Sequence, residues 1–431
     1  MRAVPLGLSG VYIALSLLLY SFGTSCPHGV GTIEIGVAIS LMMAVMVTIF
    51  KQLLGCGNQF ESKVGFIVPL AVIVLLMLPI FTALTQTRAN ITTWELARDI
   101  LPYMFFVIPV FFIGMGVKDA MLMVRVIPIF TILVGLIYSL RFGYFVQNNF
   151  GSVLSFLISQ NEMFASDLIG RSENLTDDAL CLPFDPAVFF SAFFLSLTAF
   201  DKISGKRKQR LQGIALLLLA MLPIDALVII SSRAALGLLI LLLIAYGAKH
   251  SSKKNIVGIS VIFVMVLILA WPVVSLVYEI LMSKQVAVGS NNKFEEVEQI
   301  YGTLADAGFE HIIMGLGWGG AFYDPAVGMV SSFSHSLISY FFLKAGIIGV
   351  CLLGIYLWWL IRMLLKIFAY QTNGYEIAVY SISAVIVISL FFQPLYKTPT
   401  YGVLLLYVLS MYKILRLTHN GLLVKSSRAA T

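Results

Sequence analysis

Few side chains in this sequence can carry acid–base chemistry, and His335 is the best placed of them. The chain has only five histidines. His335 stands in Ser334-His-Ser-Leu, where a polar stretch meets the next apolar run. Histidine exchanges protons near neutral pH, which suits a general base. A lone histidine at a helix start is also often no more than a polar terminus, and the sequence by itself leaves both interpretations open.

Arg233 is a second candidate, within Ser231-Ser-Arg-Ala-Ala-Leu-Gly237. One apolar run ends near Ile230 and another begins at once, so a serine is placed to cap the new helix. A cation in a first helical turn opposes the helix dipole, whereas a guanidinium beside free N–H groups suits a phosphate. The pattern therefore predicts an anion site. The alternative is an arginine that snorkels and anchors the helix end.

A polar, glycine-rich stretch over 283–334 separates two long apolar runs. At roughly fifty residues it is far longer than an ordinary connection, which indicates a functional loop. Its segment Gly315-Leu-Gly-Trp-Gly-Gly320 formally fits GxGxxG, but no βαβ unit surrounds it, so a dinucleotide site is not predicted. We expect instead a turn where the backbone approaches another element closely. Trp318 is predicted either to stack on a sugar or to anchor at the membrane interface.

Three further cations are candidates for contact with substrate or for pairing within the bundle. Lys293 and Arg171 lie in polar loops and are either solvated or in contact with substrate. Lys344 follows His335 by nine residues, which places it on the opposite face of a helix. An ionisable group nine residues into a membrane span is a functional candidate by default. A partner within the bundle, Asp225 or Glu34, is predicted.

The elements that position these residues are predicted from composition. The chain is 59% hydrophobic and 11% charged, whereas soluble proteins carry roughly a quarter charged residues. Its apolar blocks approach twenty residues, the length that crosses a bilayer. We predict an all-α polytopic membrane protein with about twelve transmembrane helices, forming one domain over 1–431. The predicted spans are 6–25, 29–50, 64–87, 97–117, 122–146, 184–200, 211–230, 233–248, 256–281, 334–360, 376–392 and 400–416.

Charge sets the predicted orientation. The net charge of +7 is better explained by Lys and Arg gathered on the cytoplasmic side than by nucleic-acid binding. Both termini are then cytoplasmic. The helical loop over 283–334 and a second loop over 147–183 fall on the outer face of the membrane, where we expect the chemistry.

Carboxylate patterns favour a metal-independent reaction. No paired carboxylates are recognisable at a membrane-embedded site, and no Asp-x-Asp motif occurs near the predicted outer face. Asp177 and Asp178 are adjacent, so their side chains diverge and chelate poorly. The sequence predicts no metal and no cofactor.

Three motifs in the C-terminal half together resemble bacterial O-antigen polymerases and O-antigen ligases. Ser231-Ser-Arg-Ala-Ala-Leu-Gly resembles their Ser-Arg-Gly helix start. The stretch from Lys293 to Gly320, which ends Met314-Gly-Leu-Gly-Trp-Gly, resembles their loop and its glycine turn. Ser334-His-Ser-Leu followed by Lys344-Ala-Gly-Ile-Ile-Gly349 resembles their His-Asn motif and downstream glycine pair. The N-terminal half agrees only in hydropathy.

The resemblance implies an inverting, metal-independent glycosyl transfer within a multi-span GT-C-like fold. The reaction would take place at the outer leaflet of a bacterial inner membrane, with both large loops in the periplasm. Donor and acceptor would be glycans linked to undecaprenyl diphosphate, and membrane lipid and a chain-length regulator would be further partners. Arg233 would hold the diphosphate, with Lys293 and Arg171 as lesser contacts, and His335 would deprotonate or orient the acceptor hydroxyl. The sequence departs in two places: Ser336 replaces the usual asparagine, and Lys293 stands where the ligases have a second phosphate-binding arginine.

Three functions therefore remain open. The favoured one is a polymerase that joins lipid-linked repeat units into O-antigen or exopolysaccharide, because a lysine cannot hold phosphate bidentately as the ligase arginine does. The second is a ligase that moves finished glycan to lipid A core. The third is a polysaccharide flippase or other transporter, which would be expected to show internal repeats and a charged central cavity.

Overall fold

The structure is a computed structural model, and its helices follow the apolar runs of the sequence. It describes residues 36, 43, 64–85, 99–100, 103, 106–107, 109–110, 112–113, 115–152, 155–156, 182–203, 207–230, 232–250, 293–324, 329–370, 375–393 and 395–419. The predicted spans 6–25, 29–50 and 256–281 lie almost entirely outside these residues. Much of the second predicted loop, with Arg171, also lies outside them.

Ten helices and one short strand pair make up the elements of the described residues. They are α1 (Val64–Thr85), α2 (Val117–Phe150), α3 (Pro186–Ile203), α4 (Arg207–Ile229), α5 (Arg233–His250), α6 (Lys293–Ala307), α7 (Phe309–Met314), β1 (Phe322–Asp324), β2 (Met329–Ser331), α8 (Leu337–Ala369), α9 (Glu376–Phe391) and α10 (Pro399–His419). A 3-10 turn, Leu395–Lys397, precedes α10.

Seven of these helices are long and apolar enough to cross a membrane: α1 to α5, α8 and α10. Apolar runs of this length can satisfy their backbone hydrogen bonds internally, which a bilayer requires. The prediction of a helical, multi-pass membrane protein is therefore confirmed. α9 coincides with the predicted span 376–392 but is shorter, at 16 residues.

The described residues fall into two compact units, and each is considered by itself. The first comprises 1–134, 296–324 and 330–431, and the second comprises 135–295 and 325–329. In the second unit, α3 packs against α4 and α5. A methyl group on Gly135, near the middle of α2, would lie 2.4 Å from the carbonyl oxygen of Ala187, so a glycine lets α2 approach α3 closely at this point.

Aromatic side chains form much of the core of the first unit. Phe106 lies 4.6 Å from Tyr356 of α8 and 6.3 Å from Tyr401 of α10, measured between ring centroids. Tyr356 donates a hydrogen bond to the carbonyl of Phe106 at 3.1 Å. Because aromatic rings bury a large area with few rotatable bonds, this cluster holds α8 and α10 to the helical residues around Phe106.

The long helix α8 is interrupted at Gly346, which has φ 61° and ψ −154°. That conformation belongs to the left-handed half of the backbone map, which glycine adopts without strain. The segment that precedes α8 is helical, as predicted, over α6 and α7, and it also contains the two-stranded β1–β2 sheet. The break in α8 and this segment together position the candidate site.

Candidate functional site

A buried acidic residue on α6 is the first component of the site. Glu296, Ile300 and Leu304 recur at a spacing of four, so they share one face of the helix. All three are almost fully buried. Ile300 and Leu304 pack in an apolar cluster with Phe322 of β1 and Leu343 of α8. That packing fixes α6 and carries the Glu296 carboxylate into the interior of the first unit.

His335 meets this carboxylate. Its ring nitrogen Nδ1 lies 2.9 Å from Glu296 Oε2, and its backbone N–H donates to Glu296 Oε1 at 2.9 Å. The carboxylate therefore binds both the backbone N–H and the ring of His335. The His335 side chain keeps 28% of its surface exposed, whereas the Glu296 side chain keeps 2%. A half-exposed imidazole on a buried carboxylate is thus the centre of the site.

A second carboxylate approaches the same nitrogen from β1. Asp324 Oδ2 lies 3.8 Å from His335 Nδ1, and the Asp324 side chain is 3% exposed. Along β1 the side chains alternate, so that Phe322 and Asp324 point inward and Tyr323 outward. The short strand therefore aims one acidic group at the histidine while its phenylalanine packs on α6 and α8.

Serines on either side of His335 fix the start of α8. Ser336 is the N-cap residue, and its hydroxyl oxygen accepts a hydrogen bond from the Ser339 backbone N–H at 3.1 Å. The Ser334 carbonyl accepts a hydrogen bond from the Tyr396 hydroxyl at 2.9 Å. Serine and asparagine are comparably good N-caps. Ser336, at the position where the resemblance predicts an asparagine, therefore caps α8.

Electrostatics keep Glu296 ionised. Burial raises the pKa of this carboxyl, but hydrogen bonds from His335 and Ser334, together with the charge of His335, more than offset it, so the net pKa lies below the ordinary value. An ionised carboxylate can only accept, so Nδ1 of a neutral ring carries the proton. The lone pair then falls on Nε2, which has no hydrogen bond to another described residue. This arrangement can remove a proton from a bound hydroxyl.

The glycine turn packs into the break in α8. Each backbone N–H from Gly315 to Gly320 donates a hydrogen bond, to carbonyls of α1, α7, α8 or the turn itself, or to the Asp99 carboxylate. Methyl groups on Gly315 and Gly317 would lie 2.3 Å from the backbone of α8 and 2.6 Å from that of α1. The predicted close approach of backbone is therefore observed, and it lies beside two helices apolar enough to span a membrane.

Trp318 is buried in the structure, whereas both of its predicted roles require an exposed ring. It is fully buried, and its indole N–H donates to the Leu76 carbonyl at 3.2 Å. Its ring lies 5.5 Å from that of Tyr103. With no exposed face, this side chain neither stacks on a sugar nor anchors at an interface in this conformation. It holds the glycine turn against α1.

Of the partners predicted for Lys344, Asp225 belongs to the second unit and Glu34 lies outside the described residues. Lys344 pairs within the bundle, as predicted, but the partner that the structure describes is a different residue. The Lys344 ammonium group bonds to the Asp99 carboxylate, and both side chains are fully buried. Asp99 falls near the outer end of the predicted span 97–117. Nothing in the sequence around it marks it out from other acidic residues as the partner of Lys344. Only the tertiary fold brings it to α8.

The three predicted phosphate ligands belong to the second unit, and only Arg233 has a described side chain. Arg233 is the first residue of α5, so the predicted helix start is observed, and it belongs to the second unit. Lys293 is the first residue of α6, but its side chain lies outside the described residues, as does all of Arg171. Among the predicted site residues, the first unit therefore contains His335 and Trp318.

Glu296 and Asp324 are candidate functional residues that the sequence did not reveal. They stand 39 and 11 residues before His335. One signal existed: an acidic residue at 296 shares the apolar face of α6 with Ile300 and Leu304, and a carboxylate on such a face is rarely placed there without a partner. The sequence contains no comparable signal for Asp324.

No family model, no curated protein and no solved structure matches this chain. Its activity is therefore inferred from the site itself and from the motif resemblance.

Proposed function

We propose that the protein is a membrane glycosyltransferase that polymerises oligosaccharide repeat units linked to undecaprenyl diphosphate, with His335 as general base. The observation that carries the proposal is the 2.9 Å contact between His335 Nδ1 and the buried Glu296 carboxylate. A sugar hydroxyl is a weak nucleophile and needs a base, and this pair supplies one with a fixed tautomer. No metal or cofactor enters the proposal.

The chemical step follows from that geometry. Nε2 of His335 takes the proton of the acceptor hydroxyl as its oxygen bonds to the anomeric carbon of the donor. The bond from that carbon to the diphosphate oxygen breaks on the opposite face, so configuration inverts and the lipid diphosphate leaves with the electron pair. The new imidazolium is stabilised by the Glu296 carboxylate and, at 3.8 Å, by Asp324.

Diphosphate binding is proposed on the motif resemblance and on helix-terminus chemistry. Arg233 opens α5, where the helix N-terminus and a planar guanidinium both favour phosphate. Lys293 and Arg171 are proposed as lesser contacts. Each of these assignments is tested by its own alanine variant, which should weaken use of the lipid-linked donor.

The finer architecture belongs to the same proposal. We infer about twelve spans in a GT-C-like arrangement within the bacterial inner membrane, with both termini cytoplasmic and the α6-to-β2 segment on the periplasmic side. A chain-length regulator is the expected protein partner. The ligase remains the closest alternative function, and the transporter is an alternative from a different class.

The decisive experiment is glycan analysis of a deletion strain carrying plasmid copies of the wild type, His335→Ala or His419→Ala. A polymerase null makes single-repeat glycan, and a ligase null accumulates polymer on the carrier lipid. A transporter null leaves undecorated cells with lipid-linked single repeats. We expect the His335→Ala strain to make single-repeat glycan, as a polymerase null does, because the base is lost. The amount of the variant protein in the membrane should equal that of the wild type.

His419 is the matched control, since it lies exposed at the end of α10, where its ring lies 4.9 Å from that of Tyr370. Its variant should restore wild-type chains. Wild-type chain growth by His335→Ala would refute the proposed function of this site.

A further inference from the structure

Two buried charges of the first unit play no part in the proposed chemical step. Lys344 of α8 and Asp99 are each fully buried and bond to one another. Lys344 Nζ also donates to the Gly320 carbonyl at 2.7 Å, and Asp99 Oδ2 accepts from the Gly319 N–H at 2.6 Å. Both members of the ion pair therefore bind the backbone of the glycine turn at its C-terminal end.

The break in α8 provides the place where the turn is held. The Leu343 and Lys344 carbonyls accept hydrogen bonds from the Leu316 and Gly317 N–H groups at 2.8 and 3.0 Å. A methyl group on Gly346 would lie 2.4 Å from the Ile313 backbone. Backbone at the depth of membrane-spanning helices must find protein partners, and here the open helix and the turn satisfy each other.

The turn is connected directly to the candidate site. Asp324 follows Gly320 by four residues, and Glu296 lies on α6, which is joined to the turn through the short helix α7. A second connection runs through Tyr340, whose hydroxyl donates to the Asp99 carbonyl at 3.0 Å. The Tyr340 ring stacks on Phe333, two residues before His335, with 6.0 Å between centroids. Displacement of the turn would therefore move both the carboxylates and the histidine.

We propose that Lys344 and Asp99 are a positioning pair that holds the Gly315–Gly320 turn in the break of α8 and so sets the geometry of the Glu296–His335–Asp324 site. The catalytic part of this inference rests on the proposed function, whereas the structural part does not.

A simple stabilising ion pair does not account for the arrangement. Replacing a buried pair by apolar side chains of similar volume is often neutral or stabilising, and charges at membrane depth are costlier still. What an apolar pair could not supply is the hydrogen bonding to Gly319 and Gly320. The two charges specify where the turn lies.

The test compares Lys344→Met and Asp99→Asn with the matched control Lys366→Met, which removes a lysine nearer the other end of α8. Hydrogen exchange of the amides from Leu316 to Gly319 reports the turn independently of any reaction. We expect exchange at least about tenfold faster in the two variants and unchanged in the control. Turnover should fall about 10- to 100-fold with KM within about twofold, because the reacting groups are misplaced while substrate contacts persist.

A single variant leaves one charge uncompensated, so insertion is checked with the double variant Lys344→Met/Asp99→Asn, which leaves none. The same faster exchange and lower turnover are expected of it. Unchanged exchange would overturn the proposal, as would faster exchange with wild-type turnover. Failure of the double variant to insert would also overturn it, because the pair would then be required for folding. If His335→Ala polymerises normally, the proposed function is refuted, while the exchange data still decide whether the pair holds the turn.

Discussion

Replacing Glu296 by glutamine tests the site most directly. The amide has nearly the same size, and its oxygen can still accept from the His335 backbone N–H, which now lies 2.9 Å from Oε1. The change removes the negative charge beside Nδ1. If the amide oxygen keeps the backbone contact, its NH2 group takes the place of Oε2 and donates to Nδ1, so that Nε2 carries the proton and no longer acts as a base. The effect on turnover therefore reports both the lost charge and the lost tautomer.

The expected size follows from one charge-assisted hydrogen bond. Such a bond contributes about 1.5–3 kcal/mol, and about 1.36 kcal/mol corresponds to a tenfold change in rate. From the lost charge alone, Glu296→Gln should lower turnover about 10- to 150-fold, and loss of the base tautomer raises this toward about 10⁴-fold. Asp324, at 3.8 Å from the same nitrogen, remains as a second negative charge beside the ring.

The assay is the initial rate of chain growth on lipid-linked repeat units in isolated membranes, normalised to the amount of protein. Glu298→Gln is the matched control, because Glu298 lies on the same helix two residues away and is exposed. It should keep the wild-type rate. Turnover of Glu296→Gln within about threefold of wild type would show that the carboxylate does not assist the base.

Two further predictions concern stability. The pKa of the Glu296 carboxyl is lowered in the folded state, so its ionised form stabilises the fold above the ordinary pKa of 4.5, and this stabilisation is lost as pH falls through the folded-state pKa. The difference in melting temperature between wild type and Glu296→Gln in detergent should therefore shrink below pH 4.5. A difference that stays constant with pH would contradict the lowered pKa. Gly317 has φ 78°, and a methyl group there would lie 2.7 Å from the Pro79 carbonyl oxygen, so Gly317→Ala should destabilise the fold by about 3 kcal/mol or more. Gly302→Ala on α6, with open space around it, should instead stabilise the fold by about 0.5–1 kcal/mol. Thermal unfolding of both variants tests this, and equal melting temperatures would show that the turn is not tightly packed.

Sequence patterns located most helices because membrane spans are specified locally. An apolar run of about twenty residues has few alternatives to a spanning helix, whatever surrounds it. Arg233 at the start of α5 was likewise predicted from adjacent residues, since the serine before it and the apolar run after it mark a helix start. The histidine was singled out for a similar reason, as a polar group where an apolar run begins.

The partners of these residues were not predictable, because they depend on tertiary packing. Glu296 reaches His335 only because Ile300 and Leu304 bury one face of α6 beside α8. Trp318 is typical of an interfacial anchor in sequence, yet the glycines around it let the turn enter the break in α8 and bury the ring. No local pattern announces that a helix will open at Gly346, since glycine is common in spans.

The position of the carboxylates favours chemistry over transport. A transporter moves substrate past its charged groups, which therefore line a path and are exposed to it in one state or another. Here Glu296 and Asp324 are almost fully buried, both approach one nitrogen of one imidazole, and only the imidazole is substantially exposed. Buried carboxylates that orient a single ring determine which nitrogen carries the proton, and that control matters for proton transfer to and from a reacting group. The arrangement is therefore better suited to activating a hydroxyl than to conducting a substrate.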